Sequence, residues 1–166
     1  AGDPPRDPAA RERASRPPSV AGPHAPAVLD ALLDSLRSER KLVEDLAATM
    51  RRQRAAVAGD DLQTVDDTVF ATHRILATLG QARLRRRQLS RLLAGVDEFP
   101  MRDLDEVVGP QMTEAMRGAR DELQASAAAL AREVDVNRRV LRDALSSGEA
   151  HARVLAGDGR LVNRTA

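Results

Sequence analysis

The chain has 166 residues, 42% hydrophobic and 31% charged, with a net charge of +1 and two phenylalanines, Phe70 and Phe99, as its only aromatic residues. That is the length of one domain, and so little aromatic area argues against a sandwich or a Rossmann sheet and for aliphatic helices packed along seams. The near-balance of basic and acidic side chains argues against a dedicated nucleic-acid binder, and the absence of cysteine excludes disulfides and thiolate metal sites. No apolar run approaches the ~18 residues that span a bilayer, and the N-terminus lacks the apolar core of a secretory signal.

The opening 26 residues hold seven of the nine prolines. Proline removes backbone donors, and few apolar side chains here offset the entropy of ordering. The reading is a disordered leader over residues 1–25, with His24 solvated in it rather than serving as a metal ligand.

A helix is expected over residues 26–58. Leu29, Leu36, Val43, Met50 and Val57 recur every seven residues, and Leu32, Leu33, Leu42, Leu46 and Ala47 fill the adjacent faces. Glu39 and Gln53 interrupt the second seam position. Pro26 suits the first helical turn, where its missing N–H is harmless.

The stretch "AGDDL" then ends one helix and opens the next. Gly59 is expected to take the left-handed backbone that terminates a helix, and Asp60 or Asp61 to accept hydrogen bonds from the N–H groups opening a second helix over residues 61–94. So short a connection predicts two antiparallel helices. The second helix carries Leu62, Val65, Val69, Leu76 and Leu79, then Leu89 and Leu93 after a drift in register. His73 falls beside Val69 and Leu76 with no histidine one turn on. The run "ARLRRRQLSR" places Arg83, Arg85, Arg86, Arg87 and Arg91 in the basic half that complements the helix dipole. Without aromatic or glycine interleaving, it reads as a face paired with acids rather than a nucleic-acid contact.

Residues 94–110 form the long connection, broken by Gly95, Pro100, Gly109 and Pro110, with one short helical turn in "MRDLDEVV". Phe99, Met101, Leu104, Val107 and Val108 are expected to cap the open end of a bundle. Asp97, Glu98, Asp103, Asp105 and Glu106 match no metal motif and read as solvated acids.

A third helix is expected over residues 110–147. Its stripe is Met112, Met116, Ala119, Leu123, Ala127, Leu130, Val134, Leu141 and Leu145, with Asn137 set inside it as a polar residue that fixes register across helices. Gly148 is expected to break or fray this helix. His151 is isolated, and residues 157–166 read as a flexible tail, so the bundle domain covers residues 26–156. The fold expected is all-α: an elongated antiparallel bundle of about three long helices.

No catalytic arrangement is visible. Neither the dinucleotide fingerprint nor the P-loop occurs, and no serine has a partnered histidine. An enzyme is not expected, nor a cofactor.

The leucine-rich "LDALLDSLRSERKLVEDL", the hairpin "RRQRAAVAGDDLQTVDDTV", the basic helix "RILATLGQARLRRRQLSRLLAG", "NRRVLRDAL" and "AGDGRLV" together resemble the FlgN family of flagellar export chaperones over residues 27–162. The resemblance implies a cytoplasmic type III export chaperone that holds hook–filament junction proteins before export. It places client contact on the C-terminal amphipathic helix, and with it Leu123, Leu130, Val134, Asn137, Leu141 and Leu145. It also implies docking to the export gate, which relatives perform with a C-terminal tyrosine; this chain has no tyrosine. Two other readings stand beside it. One is a structural or adaptor coiled-coil protein that self-assembles into an oligomer. The other is a helical protein that binds nucleic acid through Arg83 to Arg91.

Overall fold

A computed structural model of the chain describes residues 24–162, with side chains as far as Val154. The expected leader disorder lies outside the described residues except at residues 24 and 25, and so do the last four residues of the expected tail. No strand occurs among the described residues. Their α-helices are α1 (Pro26–Ala58), α2 (Leu62–Ala94), α3 (Leu104–Val108) and α4 (Glu114–Val162), with 3-10 turns at Met101–Asp103 and Gly109–Gln111. The described residues form two compact units, one of residues 24–38 and 81–122 and the other of residues 39–80 and 123–162. Each long helix therefore contributes a segment to both.

The α1–α2 turn departs from expectation in one residue. Gly59 keeps a negative φ, and Asp60 takes the left-handed backbone at φ 53. The Asp61 N–H reaches back to the Ala56 carbonyl (2.9 Å) and the Asp60 N–H to that of Val57 (3.3 Å). This is the Schellman pattern, in which the left-handed residue is the second after the helix. Aspartate tolerates the position because its short polar side chain is among the few that visit it. Asp61 then caps α2, its Oδ1 accepting the Thr64 N–H at 3.0 Å. Hydrogen bonding to Thr64, with Arg52 nearby, holds the Asp61 carboxyl below its ordinary pKa.

In the first unit the core is mainly aliphatic. Leu32, Leu36, Leu89, Leu93, Met116 and Ala119 are buried on the long helices, and Phe99, Leu104, Val107, Val108 and Met112 on the connection. Met101, expected among these, is half-exposed. Gly109 follows α3 at φ 62, ψ −133, a backbone that L side chains rarely adopt. His24 is not solvated. Its backbone N–H donates to Gln111 Oε1 (2.5 Å), its carbonyl accepts from Gln111 Nε2 (3.0 Å), and its ring Nε2 lies 3.1 Å from the Val107 carbonyl. That carbonyl lies at the end of α3, where helical partners run out, and the imidazole supplies one.

The second unit has a thinner core of Val43, Leu46, Ala47, Ala56, Leu79 and Leu123, with Glu39, Thr68 and Asn137 buried among polar groups. Thr68 satisfies its hydroxyl on the Val65 carbonyl of its own helix, at 2.7 Å. The stripe expected on α2 is corrected here: Leu62, Val69 and Leu76 face solvent, while the less exposed side carries Val65, Thr68, Thr72, Ile75 and Leu79. The helix has apolar residues on two faces, and threonine, apolar on one flank, serves on the inner one.

α4 differs at both ends from the helix expected over 110–147. Pro110 sits in a 3-10 turn, and α4 opens at Glu114 after Thr113, whose Oγ1 accepts the Met116 N–H at 3.2 Å. It then runs 49 residues, about 74 Å at 1.5 Å per residue, straight through Gly148 and into the segment expected to be a tail. An interior glycine costs a helix only about 1 kcal/mol. No proline follows Pro110, and Arg153 lies 3.5 Å from Glu149 one turn away, a pairing that supports the helix beyond Gly148.

Candidate partner-binding site

Within the second unit, polar bonds fix how α4 meets α1. Ser126 Oγ donates to Glu44 (3.1 Å), Arg51 and Arg54 both donate to Glu133 (3.3 and 2.5 Å), and Asn137 Nδ2 donates to Gln53 Oε1 (2.7 Å). Residue numbers rise together on the two helices, so α1 and α4 run parallel there. That is what a chain returning after an intervening helix produces. The Arg54 bond, seconded by Arg51, holds the Glu133 carboxyl below the usual glutamate range.

Asn137 is 6% exposed and its Oδ1 has no hydrogen-bond partner. Asn137, the polar interruption of the α4 stripe, and Gln53, one of the two in the α1 stripe, are each other's partner. A slip of one helix past the other would leave the buried Asn137 amide unpaired, at a cost of about 1–3 kcal/mol.

This register also locates the end of α1 on α4. Gln53 stands level with Asn137, so Ala58 stands level with about residue 142, and α4 continues for roughly twenty residues, some 30 Å, past it. The apolar stripe does not stop there. Leu141, Ala144, Leu145, Gly148 and Ala152 continue the i, i+3, i+4 spacing of one helical face. With Val57 of α1, and Glu149 at the edge, they line an open groove of about 470 Å³. Leu145 is 71% exposed. Burial along the stripe falls as α1 runs out.

The six residues expected to bind a partner are therefore not alike. Leu123 (8% exposed) and Asn137 lie in the core of the second unit, Leu130 and Val134 are half-buried, and Leu141 and Leu145 line the groove. Gly148 and Ala152 escape the sequence reading because Gly148 is expected to break the helix, and Ala144 lies inside the expected helix but outside the stripe named for it. The signal that finds them is the stripe's unbroken spacing in a segment without proline.

The charged clusters pair with one another. Arg91 Nη2 donates to Asp97 Oδ2 (2.7 Å), and its Nε donates to the same carboxylate. Glu98 lies 3.6 Å from Arg86 and 3.8 Å from Arg87. Asp105 accepts from Arg117 (3.0 Å) and from Arg120. The Arg91 bond holds the Asp97 carboxyl down, and the Arg117 and Arg120 bonds do the same for Asp105. Among the described residues no group of three or more histidines or acids could hold a metal ion, and no helix is long and apolar enough to cross a membrane.

A family profile described as FlgN protein matches residues 28–157. No curated protein and no solved structure matches the chain.

Proposed function

The chain belongs to the FlgN family, whose proteins are flagellar export chaperones, and on that premise we propose that it holds hook–filament junction proteins in the cytoplasm before export, through the C-terminal part of α4. The observation that carries the site is the groove at Leu141 and Leu145, an apolar helical face that outruns α1. A client segment forming an amphipathic helix buries its own apolar face there, by the helix-in-groove mode of recognition. Binding lowers the free client population able to self-associate, by mass action and with no nucleotide or covalent step. Leu130 and Val134, half-buried one and two turns earlier, extend the contact if the client displaces side chains locally. Leu123 and Asn137 support the face by fixing α4 within the second unit.

The test is calorimetric titration of the full chain with each junction protein of the same genome. A simple stoichiometric complex is expected. Burying a leucine contributes about 1.5–3 kcal/mol, so Leu145→Ala weakens binding at least tenfold. Because Leu145 is exposed in the free chain, its urea midpoint stays where it was. Absence of binding to any junction protein contradicts the client assignment, and full affinity in Leu145→Ala contradicts the site.

A further inference from the structure

The groove's two edges differ in charge, and that difference selects the kind of helix it takes. At about 100° per residue, Arg138, Arg142 and Glu149 fall along one edge of the Leu141–Ala152 stripe, and Ser147 and His151 along the other. Glu149 has Arg153 3.5 Å from it. Arg138 and Arg142 are exposed and have no acid within ion-pair distance among the described residues. In the same unit Arg51 and Arg54 are both taken up by Glu133. On α4 the unanswered charge beside the groove is thus cationic and lies along one edge. The groove floor contributes the second element of shape: Ala144, Gly148 and Ala152 stand one turn apart, beside and beyond the leucines, and leave room for large side chains from outside.

Resting on the docking face proposed above, we infer that the occupant is an amphipathic partner helix with large aliphatic side chains on one face and acidic residues along the edge that meets Arg138 and Arg142. The aliphatic face supplies affinity. The acidic edge sets the direction and rotation of the helix and discriminates between clients, as rim charges do at other interfaces.

The experiment uses the full chain and two synthetic helical peptides with the same leucine face, one carrying glutamates and the other lysines along one edge. Affinity is read by fluorescence anisotropy at low and high salt, and oligomeric state by light scattering. Exposed ion pairs contribute modestly each, so the glutamate peptide is expected to bind about five- to tenfold tighter at low salt. The preference shrinks with salt and reverses in Arg138→Glu/Arg142→Glu, while Leu145→Asp abolishes binding of both. Equal affinity for the two peptides, both lost in Leu145→Asp, overturns the charge selection and leaves the docking face standing. Binding of neither peptide overturns both. A dimer of the free chain that Leu145→Asp dissociates makes a second copy the occupant, and overturns the inference as well.

Discussion

Asp60 holds a left-handed backbone at the end of α1, a conformation that suits glycine better than any L residue. Asp60→Gly is therefore expected to raise the stability to urea by about 0.5–1 kcal/mol, and an unchanged or lower midpoint would show that the aspartate side chain contributes something the turn geometry does not reveal. Asp105 is a carboxylate of the first unit that accepts hydrogen bonds from two arginines. The Arg117 bond, then that of Arg120, lowers its pKa in the folded chain. A depressed folded pKa means that the charged form is the one folding favours. Its contribution is complete above the unfolded aspartate's pKa and disappears as pH falls through the folded value. Stability measured between about pH 5 and pH 2 should fall less steeply in Asp105→Asn than in the parent chain; identical slopes would remove Asp105 from the acid response.

At the scale of the elements, α4 is the helix whose two ends do different things. Its first half is fixed by Glu133 and Asn137 against α1, and its second half runs on past α1 without a buried residue after Asn137 among those described. Proline inside a helix removes a hydrogen bond and clashes with the preceding turn. Gly148→Pro is expected to abolish amide protection after residue 148 while leaving the urea midpoint unchanged; a large fall in the midpoint would mean that the extension helps hold the second unit together. Much of this organisation is legible in the residues themselves. The seven-residue recurrence on α1, the cap at Asp61 and the polar break at Asn137 each follow from a local rule. Three features escape local rules. α2 has apolar residues on two faces, and only tertiary packing decides that Val65 and Leu79 turn toward the core side while Leu62, Val69 and Leu76 face out. Gly59 and Asp60 compete for one left-handed position, and Asp60 takes it, with the Asp61 N–H turned back onto the Ala56 carbonyl. Gly148 weakens a helix without ending it, because no proline or turn-forming contact follows.

For the molecule as a whole, membership of a flagellar export chaperone family accords with an all-helical chain of thin aliphatic composition. The two units are unequal in filling. The first buries Phe99, Leu104, Val107 and Val108 from its connection, and the second depends on Val43 and a few leucines and alanines, with Thr68 and Asn137 also buried. The proposed docking face lies in the second. Its leucines Leu141 and Leu145 were readable from the stripe, but their freedom to bind was not, since nothing in the spacing tells where α1 stops alongside α4. Amide exchange on the full chain, with and without a junction protein bound, tests that freedom most directly. Exchange is expected to slow across residues 138–154 when the client is added, with the rest of α4 and all of α1 before Val57 little changed. Slowing confined to the first unit, with residues 138–154 exchanging as fast as before, would contradict it.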